Sequence, residues 1–299
     1  MGLFSNWVES LDYGLEILPS CTRHRSPRSS CNKCLEACQN EGISLVDGKP
    51  YIDRENCVDC GSCISACPVQ AVAGIFPKRT VVGNQLVITS EQFPTVKELL
   101  VSYKKGIRTI VSEDPALLDE LRQQIEEANS MLLQLGEQPF TTAVKAVEEE
   151  EVKYTRRELF SFWKNESQSL VRQFAPAKWR FNQQDLDLTK YYPDYQFCRI
   201  SLNLETCTLC AACQRLCERQ CLQLSETGFS ISAQACSSCQ LCVDICPEHA
   251  ISVEDGIAPA VSVQYPVYQK QCGVCNHSFA TLREHDEICV MCTKRKGFF

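Results

Sequence analysis

The chain has 299 residues with 37 acidic against 30 basic side chains, a formal charge of −7, and 22 cysteines. The acidic balance excludes a general nucleic-acid binder, which clusters lysine and arginine to neutralise phosphate, and no apolar run reaches the roughly 20 residues that a membrane-spanning helix takes. The cysteines stand at metal-ligand spacing rather than in a secreted disulfide pattern, and no signal peptide is read at the start, so a reducing cytoplasm is expected.

In chain order, Leu3, Phe4, Trp7, Val8, Leu11, Leu15 and Leu18 recur at helical spacing, which predicts an amphipathic helix across residues 1–20. The opposite face carries Glu9, Asp12 and Glu16 rather than lysines, so this helix is expected to pack on protein and not on a membrane surface. Residues 21–80 form a first cysteine-rich module containing Cys21, Cys31, Cys34, Cys38, Cys57, Cys60, Cys63 and Cys67. Within it, ISLVDGKPYI places apolar residues on both sides of Asp47-Gly48, a tight-hairpin signal. The loop TRHRSPRSS concentrates Arg23, His24, Arg25 and Arg28 beside the first cysteines.

Residues 81–175 hold no cysteine and alternate instead: Leu86 to Ile88 extended, a helix from Thr95, Thr109 to Val111 extended, a longer helix from Pro115, then Ala143 to Val147 extended. Thr95 with Glu98 is a capping box, and Asp114-Pro115 combines a cap with a first-turn proline. The pattern predicts a small α/β insert with parallel pairing, and it contains no glycine-rich nucleotide loop. A second capping box, Thr155 with Glu158, follows the acidic run Glu148 to Glu151. Residues 176–197, with Trp179, Tyr191, Tyr192 and Tyr195, read as a packed connector.

The second module spans 198–262 and reads CTLCAACQRLC from Cys207, eighteen residues, then CSSCQLCVDICP from Cys236. It repeats the first at a constant offset of 179: Cys31, Cys34, Cys38, Cys57, Cys60, Cys63 and Cys67 fall on Cys210, Cys213, Cys217, Cys236, Cys239, Cys242 and Cys246, and Pro68 falls on Pro247. QLSETGFSI around Thr227-Gly228 repeats the hairpin. The first module departs at one place, where Arg28 stands at the position of Cys207.

Two CxxCxxCxxxC runs, the second closed by Cys246-Pro247, resemble the dicluster bacterial-type ferredoxins, and the duplicated whole resembles the polyferredoxin-like iron-sulfur proteins that accompany anaerobic oxidoreductases. The motifs cover about residues 21–75 and 198–255. The resemblance implies an α+β fold of two ferredoxin-like (βαβ)2 modules separated by the α/β insert, and four 4Fe-4S clusters transferring single electrons at low potential. In that family the fourth cysteine of each run serves the other cluster. Cys207, Cys210, Cys213 and Cys246 would then hold one cluster, and Cys236, Cys239, Cys242 and Cys217 its neighbour. In the first module Cys57, Cys60, Cys63 and Cys38 would hold one, and Cys31, Cys34 and Cys67 the other with Cys21, provided the intervening loop bulges outward. A three-iron cluster or an outside fourth ligand are the alternatives there. Arginines beside such a cluster would favour its reduced state.

Residues 263–299 carry Cys272, Cys275, Cys289 and Cys292, two CxxC pairs thirteen residues apart, followed by a basic tail with two phenylalanines. The pattern resembles a zinc-ribbon-like knuckle holding one Zn2+, with a rubredoxin-like iron as the redox alternative. Cys198 and Cys221 remain unassigned. With four histidines, no nucleophile elbow and no radical-enzyme CxxxCxxC order, no catalytic constellation is found, so an enzyme with its own small-molecule substrate is not expected. The expected role is an electron carrier or electron-transfer subunit serving a redox enzyme or another electron-transfer protein; an assembly factor for a redox enzyme, such as a molybdenum enzyme, is the alternative.

Overall fold

In the computed structural model the described residues are 15–74, 76, 79–90, 93–145 and 186–296. The N-terminal helix expected before residue 15, the Thr155 capping box, Trp179 and the last three residues lie outside them. The chain divides into two units, one of Met1–Cys21 with Asn32–Tyr191, the other of Thr22–Cys31 with Tyr192–Phe299.

In the first unit the order is β1 (Glu16–Ile17), α1 (Lys33–Glu36), β2 (Ile43–Val46), β3 (Lys49–Ile52), α2 (Ser62–Ala66) and β4 (Val72–Ala73). β1 pairs antiparallel with β4, and β2 with β3. The expected helix therefore does not extend through Leu18. Backbone pairing with Val72–Ala73, continued by Leu18 N–H donating to Ala71 O at 2.7 Å, holds this end extended, and Leu15 turns into the core. The β2–β3 turn places Asp47 (φ 50°) and Gly48 (φ 76°) in the left-handed region, as a two-residue hairpin of this hand requires. Ile64, Ala71 and Val72, with Leu15, Ile43, Cys63 and Cys67, form the small core.

The insert follows in the same unit: β5 (Thr80–Val82), β6 (Gln85–Val87), α3 (Val96–Lys104), β7 (Thr109–Ser112), α4 (Pro115–Glu120), α5 (Arg122–Gln134) and β8 (Thr141–Val144). β6, β7 and β8 pair in parallel, and β5 adds an antiparallel edge that the periodicity did not reveal. Leu86, Leu99, Leu100, Ile110, Leu121 and Leu132 are at most 1% exposed and fill its core. The helix expected from Pro115 is two segments meeting at the buried Leu121.

The start of α3 is fixed twice. Thr95 Oγ1 accepts from Glu98 N–H at 3.3 Å and Glu98 Oε1 accepts from Thr95 N–H at 3.2 Å. The other Glu98 oxygen receives Arg79 at 2.9 Å, although Glu98 is only 5% exposed.

In the second unit β9 (Tyr195–Leu202), α6 (Ala212–Leu216), β10 (Leu222–Leu224), β11 (Gly228–Ser232), a 3-10 turn (Ala233–Ala235), α7 (Leu241–Asp244) and β12 (Ile251–Pro259) follow the element order of the first module. β9 pairs with β12 and β10 with β11. The expected connector ends early, because β9 begins at Tyr195 and Tyr192 is buried edge-on against Phe197. β13 (Ser262–Pro266) adds a third strand beside β11, so the sheet continues past the expected boundary at 262. β14 (Tyr268–Gln271), β15 (Ser278–Thr281) and α8 (Val290–Lys296) complete the unit.

Residues 22–31, expected in the first module, group with the second. Ser30 donates from both N–H and Oγ to the Asp244 carboxylate at 2.8 Å each, and Arg25 pairs with Glu218 at 3.2 Å. The arginine-rich loop therefore lies beside residues that flank Cys217 and Cys242, not as an outward bulge of the first module.

Removing the Thr95 cap should cost about 1 kcal/mol. Glu98→Ala also breaks the ion pair that the buried Glu98 makes with Arg79 and should cost about 3 kcal/mol. Hydrogen exchange at the α3 amides is the measurement, with Glu98→Ala accelerating exchange more than Thr95→Ala.

Candidate metal centres

The three regular CxxCxxC loops share one backbone device. The residues on either side of the middle cysteine have positive φ: Asp59 (52°) and Gly61 (75°) around Cys60, Leu209 (53°) and Ala211 (59°) around Cys210, Ser238 (54°) and Gln240 (60°) around Cys239. Only glycine adopts this region without cost, so five strained side chains here mark loops shaped for their thiols. The first run lacks the device. Asn32, equivalent to Ala211, has φ −124°, and Cys34 sits inside the helical turn α1. Its departure at Arg28 is thus accompanied by a different backbone.

The lone cysteine of each run is also set in a repeated turn. Cys38, Cys67, Cys217 and Cys246 accept at their carbonyls from the N–H three residues on, at 3.1–3.3 Å. Glu41, Gln70, Gln220 and His249, the donors, all have positive φ. The next amide turns back onto the sulfur: Ala71 to Cys67 Sγ at 3.1 Å, Cys221 to Cys217 at 3.4 Å and Ala250 to Cys246 at 3.3 Å. A sulfur that accepts amide N–H is favoured as the thiolate a metal needs.

These devices bring thiols together. Cys207, Cys210, Cys213 and Cys246 line one apolar hollow with Leu202 and Phe229. Burial and then the other thiols of this group push Cys213 up to about 11. Cys217, Cys236, Cys239 and Cys242 form a second group: Cys239 is raised to about 11, by burial first and then by Cys236 and Cys217. In the first unit Cys38, Cys57, Cys60 and Cys63 line a hollow that Phe93, Thr95 and Gln124 of the insert also wall. Burial, followed by Cys60, Cys34, Cys57 and Cys38, raises Cys63 to about 12. Protons held on crowded, buried thiols are those a cationic centre would displace. Of the fourth expected set, Cys21, Cys34 and Cys67 pack with the core of the first unit, whereas Cys31 falls in the second.

Cys198 and Cys221, which spacing left without a role, adjoin the second group. Cys198 is fully buried and packs against Cys236, and Cys221 packs against Cys217 and Cys236. The adjoining thiols, Cys198 first and then Cys221, pull Cys236 down to about 3, and Cys221, which also gives its backbone N–H to the Cys217 sulfur, pulls Cys217 down to about 6. No motif identifies these two; only the β9–β12 pairing and the turn after Cys217 carry them there.

At the end of the second unit the sulfurs of Cys272, Cys275, Cys289 and Cys292 lie within 4.8 Å of one another. Zn–S bonds of about 2.3 Å in a tetrahedron separate sulfurs by about 3.8 Å, and Cys275 and Cys289 are 3.8 Å apart. The donor set fits a four-thiolate ion. Cys289 N–H donates to Cys272 Sγ at 3.3 Å, the first cause holding Cys272 at about 6, and a hydrogen bond from the Cys292 thiol to Cys275 leads in raising Cys292 to about 12. His277 and His285 are not among these ligands.

Among the described residues no helix is long and apolar enough to cross a membrane. Residues 28–71 match the family model described as a 4Fe-4S dicluster domain. An uncharacterized ferredoxin of Methanocaldococcus jannaschii is 46% identical over 39 residues, 13% of this chain and 26% of that protein. A protein named Ferredoxin 7Fe, from Hydrogenibacillus schlegelii, is 41% identical over 39 residues, 13% of this chain and 50% of its own length. The chain thus spans half or less of the relatives it matches, and over residues 28–71 it carries a domain of the 4Fe-4S ferredoxin family.

Proposed function

We propose that the chain is an iron-sulfur electron-transfer protein that passes single electrons between a donor and a partner oxidoreductase and has no substrate of its own. The observation that carries this reading is the convergence of thiols, most of them half-buried, in groups of four on loops strained to present them. A 4Fe-4S cluster supplies reversible one-electron transfer when bound. Cys207, Cys210, Cys213 and Cys246 are proposed to hold one, Cys217, Cys236, Cys239 and Cys242 another, and Cys38, Cys57, Cys60 and Cys63 a third. Four thiolates on each leave no open iron for a substrate, which is why a carrier is favoured over an enzyme. For the fourth centre, Cys21, Cys34 and Cys67 of the first unit are the proposed ligands. Cys272, Cys275, Cys289 and Cys292 are proposed to hold a structural zinc.

Buried surroundings and hydrogen bonds to sulfur set how readily such centres accept an electron. Cys198 packs against Cys236, and Cys221 packs against Cys236 and gives its N–H to the Cys217 sulfur, which favours negative charge there. Arg25 and Arg28 belong to the loop tied to Glu218 and Asp244, so their charge acts on the same centre.

An anaerobic redox titration followed by electron paramagnetic resonance, with iron and zinc counted on the same full-length sample, tests the reading. Three complete groups require at least about twelve irons in reversibly reducible 4Fe-4S form, with about one zinc; fewer irons, or irreducible clusters, would overturn it. Cys198→Ala should lower the potential of a single cluster by roughly 20–40 mV, the equivalent of one lost hydrogen bond, with iron content unchanged. Zinc should be held less tightly as pH falls. Cys292, raised to about 12, is protonated at neutral pH and must lose its proton to bind, so each added proton competes with the metal. Chelator competition at pH 6 and pH 8 reads this directly.

A further inference from the structure

The internal repeat supplies its own control on the surface. Inward positions are alike in the two halves: Ile43 and Ile52 correspond at the offset of 179 to Leu222 and Ile231, and both hairpins turn these residues toward a core. Outward positions change character. Val46, Tyr51 and Val58 stand where the second half has Ser225, Ser230 and Ser237, and they are 53%, 58% and 58% exposed. Across the β2–β3 ladder Ser44 pairs with Tyr51 and Val46 with Lys49, so Val46 and Tyr51 share the face opposite Ile43 and Ile52. Val58 stands between Cys57 and Cys60.

The two hairpins also differ at their edges. In the second unit β13 pairs along β11 from Gly228 to Ser232. Its equivalent β3 pairs with β2 alone among the described residues. Apolar side chains exposed where the chain's other half uses serine are not needed to fold the module, and such patches mark interaction sites. Around them stand Glu41, Asp47, Asp53, Glu55 and Asp59, against Lys49 and Arg54.

We propose that the outer face of β2–β3, together with Val58, is the docking surface for a protein electron-transfer partner whose own face is apolar at its centre and ringed by lysine and arginine. The proposal rests on the electron-transfer reading: the patch adjoins Cys57 and Cys60, so docking there brings a partner to the thiols of one proposed centre. The acidic rim selects the partner's sign, speeds encounter and makes it sensitive to salt. The same rim sets two copies of this chain against each other and so disfavours self-association. In the complex one electron leaves the reduced chain, the oxidised partner is reduced by one, and no bond forms or breaks.

The test uses the full-length, cluster-loaded, reduced chain and ferric cytochrome c, a basic one-electron acceptor protein, in anaerobic stopped flow. The variant is V46S/Y51S, which installs the side chains of the second half at the two hairpin positions and leaves the Cys57–Cys63 loop as it is. Its second-order rate constant should fall about tenfold, the wild-type rate should fall with added salt, and iron content and potentials should not change. Equal rates for both forms would overturn the proposal. So would sedimentation of the wild type as a dimer that the variant loses, since the face would then join two copies. Reduction of the small dye dichlorophenolindophenol separates the two levels: equal dye rates with a slowed cytochrome reaction support docking, whereas failure to reduce even the dye overturns the electron-transfer reading itself.

Discussion

The ferredoxin-like parts of this chain depend on a backbone shape that the chain alone does not favour. Nine residues flanking the grouped cysteines lie in the left-handed region, and only Gly61 among their counterparts is a glycine. Leu209 and Ala211, with no side-chain group that compensates, are the most costly; each such residue stores of order 1 kcal/mol or more. Helices of four or five residues, α1, α2, α6 and α7, cannot repay this, being shorter than the length at which a helix stabilises itself. The cores are thin and are built partly of the cysteines themselves. A bound centre that draws the thiols together repays the strain, so that loading and folding of these modules are one equilibrium.

The insert is made on the opposite principle. Its parallel strands and two long helices bury full-sized aliphatic residues, and the starts of α3 and α4 are capped by side chains whose partners are in place. It needs no metal to explain its order. It also walls the hollow that contains Cys38, Cys57, Cys60 and Cys63, through Phe93, Thr95 and Gln124, and Lys97 reaches the Ser65 carbonyl of α2 at 3.5 Å. A self-sufficient element thus gives one side of the cysteine-rich module a fixed boundary, while β3 pairs with β2 alone among the described residues.

What the sequence made legible was local. Asp47-Gly48, Thr95 with Glu98, and Asp114-Pro115 each specify a turn or cap through atoms a few residues apart, and each is found. The parallel order of β6, β7 and β8 followed from alternation alone. What stayed hidden was set by distant partners. The Glu16–Ile17 strand is made by Val72–Ala73, the course of residues 22–31 by Asp244 and Glu218, and the place of β13 by β11. Cys198 and Cys221 carry no spacing signal at all, because pairing and a turn, rather than a motif, bring them to Cys236.

The four-thiol knuckle is best understood as part of the second module rather than an appendage. Val267, just before β14, and Leu282, just after β15, are buried in the same core as Phe229, Ile251 and Leu222, against which Cys207 and Cys213 also pack. Arg283 bonds to its own Asp286 and reaches the Glu205 carbonyl at 3.0 Å, two residues before Cys207, while Lys294 on α8 pairs with Glu248, two residues after Cys246. Exposed ion pairs contribute little each, so the shared core supplies the strength and the pairs the orientation. Under the proposed assignments, an ion at Cys272, Cys275, Cys289 and Cys292 would fix β14, β15 and α8 to one another and, through Leu282, to the wall behind Cys207 and Cys213. The proposed zinc site would thereby restrain the surroundings of the proposed cluster, which would give such a chain reason to keep four cysteines that pass no electrons.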